Sequence, residues 1–298
     1  MNPSEPNMRV VAGGEGEAVL GAGHAAEMSR PRTRTIVIAS GKGEVGKSNL
    51  CANLALALAE RGARVLLVDG DLAQANLDLI LGVHPRWDIS DVLKNERTLD
   101  EVLVSVARGV QLVPAASGAP ELAELDDMRR ETFLRTIGSV DPAPDLVLID
   151  TASGASRQTT ALCRAGHETI VVTTPEMPAF SEAYALVKLL HQQGLAQAPR
   201  VVVSMANSDE EAQETSHHLR LVARRFLRIE LECLGVIPYD ASVPRAMRQQ
   251  EPVLSAFPDS AAARAYRALA ARCWKGPSSG PQEAVATKSE MKPQRLVA

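Results

Sequence analysis

The sequence predicts an α/β protein: a mostly parallel, twisted sheet of about seven or eight strands with helices on both faces. Three observations predict it. Between Arg34 and Trp274, short apolar runs alternate with helix-period segments, the order that builds βα units and a parallel sheet. Those runs are rich in Val, Ile and Leu with little polar alternation, as strands covered on both faces require. The first run also leads into a glycine-rich loop, Ser40-Gly41-Lys42-Gly43-Glu44-Val45-Gly46-Lys47-Ser48, from which a helical apolar repeat emerges.

Taken in order, residues 1 to 33 are Gly-, Ala-, Glu- and Pro-rich without period and read as a disordered segment. Arg30, Arg32 and Arg34 close it as a solvated junction. Ile36 to Ala39 is the first strand, and Leu50, Leu54 and Leu58 recur on one face of the helix after the loop. Further strands are read at Val65 to Val68, Val110 to Val113, Leu146 to Ile149, Thr169 to Val172, Val201 to Val203 and Leu234 to Ile237. Helices are read at Glu121 to Ile137, Ala179 to Gln192, Glu210 to Phe226 and Asp259 to Cys273, with Pro175, Pro178, Pro244 and Pro258 near helix starts. Right-handed crossovers then gather several strand C-termini at one crevice. Residues 34–275 form the folded domain, and the Pro-, Ser-, Gln- and Lys-containing residues 276–298 read as a disordered tail.

Composition narrows the class. A chain of 298 residues with 45% apolar content can bury a sizeable core, and with only 3% aromatics that core is built from Ala, Leu and Val. A formal net charge of -4 gives no global signature of nucleic-acid binding. Cys51, Cys163, Cys233 and Cys273 lie far apart without a C-x-x-C pair, and read as small apolar residues in a reducing compartment. Neither an apolar signal core nor a run of eighteen apolar residues is present. A cytoplasmic protein is expected, with any contact at the inner membrane or cell pole peripheral.

The loop fits the pattern G-x-x-x-x-G-K-[ST], with Gly41, Gly46, Lys47 and Ser48 at its fixed positions. A loop short of side chains lets backbone N–H groups converge on phosphate oxygens, and the helix N-terminus behind it adds partial positive charge. This is the P-loop NTPase arrangement: Lys47 reaches the terminal phosphates and the Ser48 hydroxyl ligates Mg²⁺. Two apolar strands end in acids, Asp69-Gly70-Asp71 and Asp150-Thr151, at the sheet edge where the loop lies. Asp150 is the natural partner of Mg²⁺ through water, and Asp69 and Asp71 divide metal support from orientation of an attacking water.

These residues resemble the MinD/ParA family, whose marker is an extra lysine early in the phosphate loop, here Lys42. Further matches are Asp69-Gly70-Asp71-Leu72, Ala75-Asn76-Leu77-Asp78, Leu79-Ile80-Leu81-Gly82, Pro114-Ala115-Ala116-Ser117-Gly118, Thr173-Thr174-Pro175-Glu176, Ala183-Tyr184-Ala185-Leu186-Val187-Lys188 and Gly235-Val236-Ile237-Pro238-Tyr239-Asp240. Together they are similar to its FlhG/FleN branch, the regulators of flagellar number and placement. The resemblance implies an ATPase that needs ATP and Mg²⁺ and dimerises around two nucleotides, Lys42 of each subunit reaching the other's phosphates. It implies Asp71 as the water-positioning acid, Asp69 and Asp150 as metal support, and Ser48 as direct ligand. The nucleotide would lie against Gly41, Lys42, Gly43, Glu44, Val45, Gly46, Lys47, Ser48 and Asn49, with Ser204, Pro238 and Asp240 beyond. The implied partners are a GTPase of the FlhF type or a transcriptional activator.

Three departures qualify the match. Glu44 stands where the family has glycine, and either points outward or weakens binding and hydrolysis. Ser204 replaces an asparagine that reads adenine, which leaves base selectivity open. Neither residues 1 to 33 nor the tail matches the branch's activating segment or membrane helix. Arg220, Arg224 and Arg228, beside Arg225, repeat on one helix whose Leu219, Val222 and Phe226 are expected to face the core. A solvated face is the preferred reading, and DNA contact in a ParA-like segregation protein the rival. His217-His218 reads as an exposed polar pair. A pseudo-ATPase acting as a binding module is the remaining alternative.

Overall fold

The computed structural model describes residues 33–276 apart from 72–73, 116–127, 129–131, 133–135 and 138–139. The segments 1–32 and 277–298, most of the helix expected over Glu121 to Ile137, and the matches at Leu72 and Ala116 to Gly118 lie outside the described residues. Eight strands form one sheet: β1 (Arg34–Ser40), β2 (Val65–Gly70), β3 (Val104–Ala107), β4 (Val110–Val113), β5 (Leu146–Thr151), β6 (Glu168–Thr173), β7 (Arg200–Ala206) and β8 (Glu232–Pro238). Their order is β3-β4-β2-β5-β1-β6-β7-β8. All pairings are parallel except the antiparallel β3–β4 pair at one edge.

Strand periodicity divides the core in two. Ile36 and Ile38 of β1 join one apolar cluster while Val37 and Ala39 join the other, because successive side chains leave a strand on opposite faces. On the first face lie α1 (Lys47–Glu60) and α10 (Ala261–Cys273), which bring Leu50, Leu54, Leu58, Tyr266 and Leu269 against the sheet. On the second lie α5 (Arg157–Ala165), α6 (Met177–Gln192) and α7 (Asp209–Leu227), through Leu162, Leu186, Leu190 and Leu219. Removing each such leucine from water contributes about 1.5–3 kcal/mol. Short helices α2 (Leu77–Leu81), α3 (Ile89–Leu93), α4 (Leu99–Val102), α8 (Ser242–Arg248) and α9 (Val253–Ala256) complete the described elements.

Side-chain caps fix where the covering helices begin. Ser156, Ser208 and Ser260 accept hydrogen bonds from the amides of Thr159, Glu211 and Ala263 at the starts of α5, α7 and α10, satisfying donors that the first helical turn leaves without partners. At the opposite end of the sheet Glu168 takes ion pairs from both Arg34 and Arg200, tying β1, β6 and β7 where the backbone enters them.

Seven strands lie where the apolar runs place them; β3 is an addition. The structure also corrects one face of α7: Ala212, Thr215, Leu219 and Ala223 are buried, whereas Phe226 is 65% exposed and carries Arg225 over its ring. Position 226 comes almost two turns after Leu219 and so on the same side of the helix, but it stands in the last turn, beyond Ala223, the last of the buried residues. Cys51, Cys163 and Cys273 are buried free thiols and Cys233 is partly buried, in keeping with their reading as small apolar residues. Among the described residues no helix is long and apolar enough to cross a membrane.

Candidate functional site

The central strands deliver three chemical groups to one edge. Parallel register sets Asp69 of β2 opposite Asp150 of β5, and Asp150 opposite Ile38 of β1, two residues before Ser40. From Ser40 the chain passes through the glycine loop into α1. Gly46 sits at the N-cap with φ 84 and ψ 17, a left-handed conformation that glycine adopts at no steric cost. Gly41 is needed for a different reason: a Cβ there would fall 2.3 Å from the Glu182 carbonyl carbon and oxygen of α6. The loop therefore lies directly on a helix backbone. Val45 is buried in the core, which anchors the loop from below and leaves the Gly43–Ser48 backbone facing a cleft of about 720 Å³.

The two lysines of this loop have opposite dispositions. Lys47 turns inward, its side chain 8% exposed, and its Nζ donates to Asp150 Oδ1 at 2.7 Å. Burial alone would lower the Lys47 pKa, but the Asp150 carboxylate outweighs it and holds the ammonium above its ordinary value. Burial pushes the Asp150 carboxyl up, while Lys47 and the Ser48 hydroxyl pull it down. Lys42 instead faces outward, its Nζ donating to Glu176 Oε2 at 3.0 Å. That bond and the charge of Glu176 raise its pKa.

Asp69 organises the turn after β2. Its Oδ1 accepts from the Asp71 amide at 3.1 Å, and its Oδ2 from the amides of Asn76 and Leu77 at 3.1 and 3.2 Å. Burial and the neighbouring Asp150 charge push its carboxyl up to about 7, against the pull of those three amides. Asp71 stands at the rim of the cleft, where its Oδ1 accepts from the Gln74 amide at 3.0 Å.

The expected residues thus fall into distinct places. Gly43, Glu44, Gly46, Lys47, Ser48, Asn49 and Asp71 line the cleft. Asp69 and Asp150 lie buried at adjoining strand ends, and Lys42 reaches Glu176. Ser204 is buried, its Oγ 3.1 Å from where a Cβ on Gly46 would stand. Pro238 ends β8. Asp240 accepts the Ser242 amide on Oδ1 at 2.8 Å and the Ala262 amide on Oδ2 at 3.0 Å, so it ties the starts of α8 and α10 together. Glu44 is exposed along the cleft, with φ 63, so its backbone takes the left-handed region that glycine favours.

Ser153, Gln74, Asn76, Met205, Met247 and Gln250 also line the cleft, unmarked by any pattern of spacing. His217 and His218 are exposed, and among the described residues no cluster of His, Cys, Asp or Glu is arranged to hold a metal on its own.

Comparison with known proteins places this geometry. Residues 36–253 match the family described as CobQ/CobB/MinD/ParA nucleotide binding domain. The chain is 38% identical to the antiactivator FleN of Pseudomonas aeruginosa over 237 residues, which is 80% of this chain and 85% of that protein. It is 32% identical to the flagellum site-determining protein YlxH of Helicobacter pylori, over 75% of this chain and 76% of the relative. Among solved structures it is similar to the septum site-determining protein MinD of Pyrococcus horikoshii complexed with Mg-ADP. That likeness has a TM-score of 0.68 at 29% identity, covering 82% of this chain and 97% of that one.

Proposed function

This chain belongs to the family of CobQ/CobB/MinD/ParA nucleotide-binding domains, and from that premise we propose an ATP-driven dimerisation switch with slow hydrolysis that regulates flagellar number, placement and gene expression. The residues present fit a magnesium nucleotide. The cleft floor is backbone on a helix N-terminus, which suits phosphate oxygens. The nearby side-chain donors are a hydroxyl and carboxylates, the hard oxygen ligands Mg²⁺ prefers. The MinD of Pyrococcus horikoshii, complexed with Mg-ADP, supports the same reading.

In this reading the amides from Gly43 to Ser48 bind the β- and γ-phosphates, and Lys47 exchanges part of its interaction with Asp150 for phosphate oxygens. Ser48, with Asp69 and Asp150 behind it, would hold the metal. Mg²⁺ supplies neutralisation of phosphate charge when bound. Asp71, on the turn that Asp69 fixes, orients the attacking water. Lys42 serves the partner subunit's phosphates, a cation delivered across the interface to charge that develops during transfer.

The observation that carries this reading is the contrast between the two lysines: one loop buries Lys47 beneath its own site and presents Lys42 outward. Single-turnover ATP hydrolysis, with Asp71→Ala as control, tests it. A slow turnover lost in the control is expected; turnover equal in both would leave a binding module without catalysis. The names antiactivator and flagellum site-determining protein borne by the relatives support a protein partner in flagellar control. A DNA-binding role has weaker support, because Arg224 is already paired with Glu230 at 2.8 Å and the first turn of the same helix carries Asp209, Glu210 and Glu211.

A further inference from the structure

The sheet order gives the cleft two ends. β2 and β5 lie on one side of β1, and β6, β7 and β8 on the other. Asp69 belongs to β2 and Asp150 to β5, opposite each other in register, and Asp71 follows directly on β2. The carboxylates that would serve a metal and an attacking water therefore mark the β2–β5 end as the place of a terminal phosphate. Ser153, on the loop between β5 and α5, also lines the cleft. Its Oγ stands 3.7 Å from where a Cβ on Gly43 would lie, so it faces the backbone of the phosphate loop.

Ser153 is exposed and, among the described residues, its hydroxyl has no hydrogen-bond partner, yet the backbone that carries it is fixed on both sides. Before it, the Ala152 carbonyl accepts from Thr159 Oγ1 at 3.2 Å, and Thr151, fully buried, donates from Oγ1 to the Ile38 carbonyl at 3.1 Å. After it, the Gly154 amide donates to the Ser40 carbonyl at 2.8 Å, with Gly154 at φ 87, a turn that glycine makes at no steric cost. The loop is thus tied to β1 and to the first turn of α5, and the position of Ser153 does not depend on contacts of its own side chain. A hydroxyl can donate as well as accept. Set across the cleft from the loop backbone and from Lys47, which also donate, it is placed to share an anion with them.

We propose that the Ser153 hydroxyl donates to an oxygen of the terminal phosphate and makes this site prefer a triphosphate to a diphosphate. The proposal rests on the nucleotide-site reading above. A hydrogen bond to an anionic oxygen is about twice as strong as one between neutral groups. This one forms only when the third phosphate is present, so it adds to triphosphate binding and nothing to diphosphate binding. Because the loop is already tied to Ser40, at the base of the phosphate loop, the hydroxyl is preorganised for it.

The test is equilibrium displacement of a ribose-labelled fluorescent ADP, with Mg²⁺, from the full chain by ADP and by the non-hydrolysable β,γ-imido analogue of ATP. In Ser153→Ala the analogue is expected to bind about tenfold more weakly, the loss of one hydrogen bond to a charged group, with ADP affinity held within about twofold. Ser153→Thr, which keeps the hydroxyl, is expected to recover the wild-type ratio of the two affinities, and thermal unfolding confirms that each variant is folded. Unchanged affinity for the analogue in Ser153→Ala overturns the proposal while the nucleotide site stands. Equal losses for ADP and the analogue also overturn it, because the hydroxyl would then not read the third phosphate. Absence of probe binding to the wild type overturns the nucleotide reading and the proposal with it.

Discussion

Replacing Lys47 by methionine keeps the length of the side chain and deletes its charge. The side chains of Lys47 and Asp150 are 8% and 2% exposed and meet at 2.7 Å, so both charges have left water and each depends on the other. Removing one member of such a pair costs about 3–5 kcal/mol, because the remaining charge is buried without compensation. An exposed pair such as Arg224–Glu230 contributes about 0–1 kcal/mol by comparison. Lys47→Met should therefore lower the unfolding free energy of the nucleotide-free protein by about 3–5 kcal/mol. Asp150→Asn in the same background should restore most of that loss, since an amide needs no counter-charge. The assay is urea denaturation followed by circular dichroism on wild type, both single variants and the double variant, with the slope checked for constancy. A loss below about 1 kcal/mol for Lys47→Met, the range of an exposed pair, with no recovery in the double variant, would refute the claim that this ion pair is a desolvated structural element.

Three further outcomes follow from local geometry. Gly41→Ala drives a Cβ to 2.3 Å from the Glu182 backbone, which cannot yield as a side chain tip could; a loss of about 1–3 kcal/mol and of nucleotide binding is expected, read by thermal unfolding and equilibrium binding. Glu44→Gly relieves a left-handed residue at φ 63, worth about 1–2 kcal/mol, less about 0.5–1 kcal/mol of added chain entropy; a raised melting temperature and tighter ATP binding are expected, and a lowered melting temperature would contradict the strain. Asp145 accepts from the Arg64 amide, Nε and one terminal nitrogen, and the guanidinium holds its carboxyl below the ordinary value of 3.8. Its stabilisation is present above that unfolded-state value and is lost as pH falls through the lower folded one, so Asp145→Asn should differ from wild type above pH 5 and converge with it under acid, in a pH series of melting temperatures.

The glycine loop, its strand and its helix were legible because each rests on a local rule: a continuous apolar run, fixed loop positions and leucines at helical spacing. The acids at Asp69, Asp71 and Asp150 were legible as a set, since a carboxylate directly after a buried strand has to emerge at the sheet's C-terminal edge. Strand β3 was not, because Val104–Ala107 is half-exposed and antiparallel and runs on without a break from the helix ending at Val102. Helix α5 carries only Thr159, Thr160, Leu162 and Cys163 to the core, too few apolar positions to announce a period. Two of the residues lining the cleft were hidden for a different reason. Met205 and Met247 lie forty-two positions apart in sequence order, and the pairing of β7 with β8 brings the chain segments that carry them to one cleft.

The cross-subunit task proposed for Lys42 is the centre of the account, and solution mass reports on it directly. Size-exclusion chromatography with light scattering should give a monomer with Mg-ADP and a dimer with Mg-ATP for the wild type, and a monomer under both conditions for Lys42→Ala. A mass that does not change between the two nucleotides in the wild type, or a Lys42→Ala variant that dimerises as the wild type does, would contradict the switch.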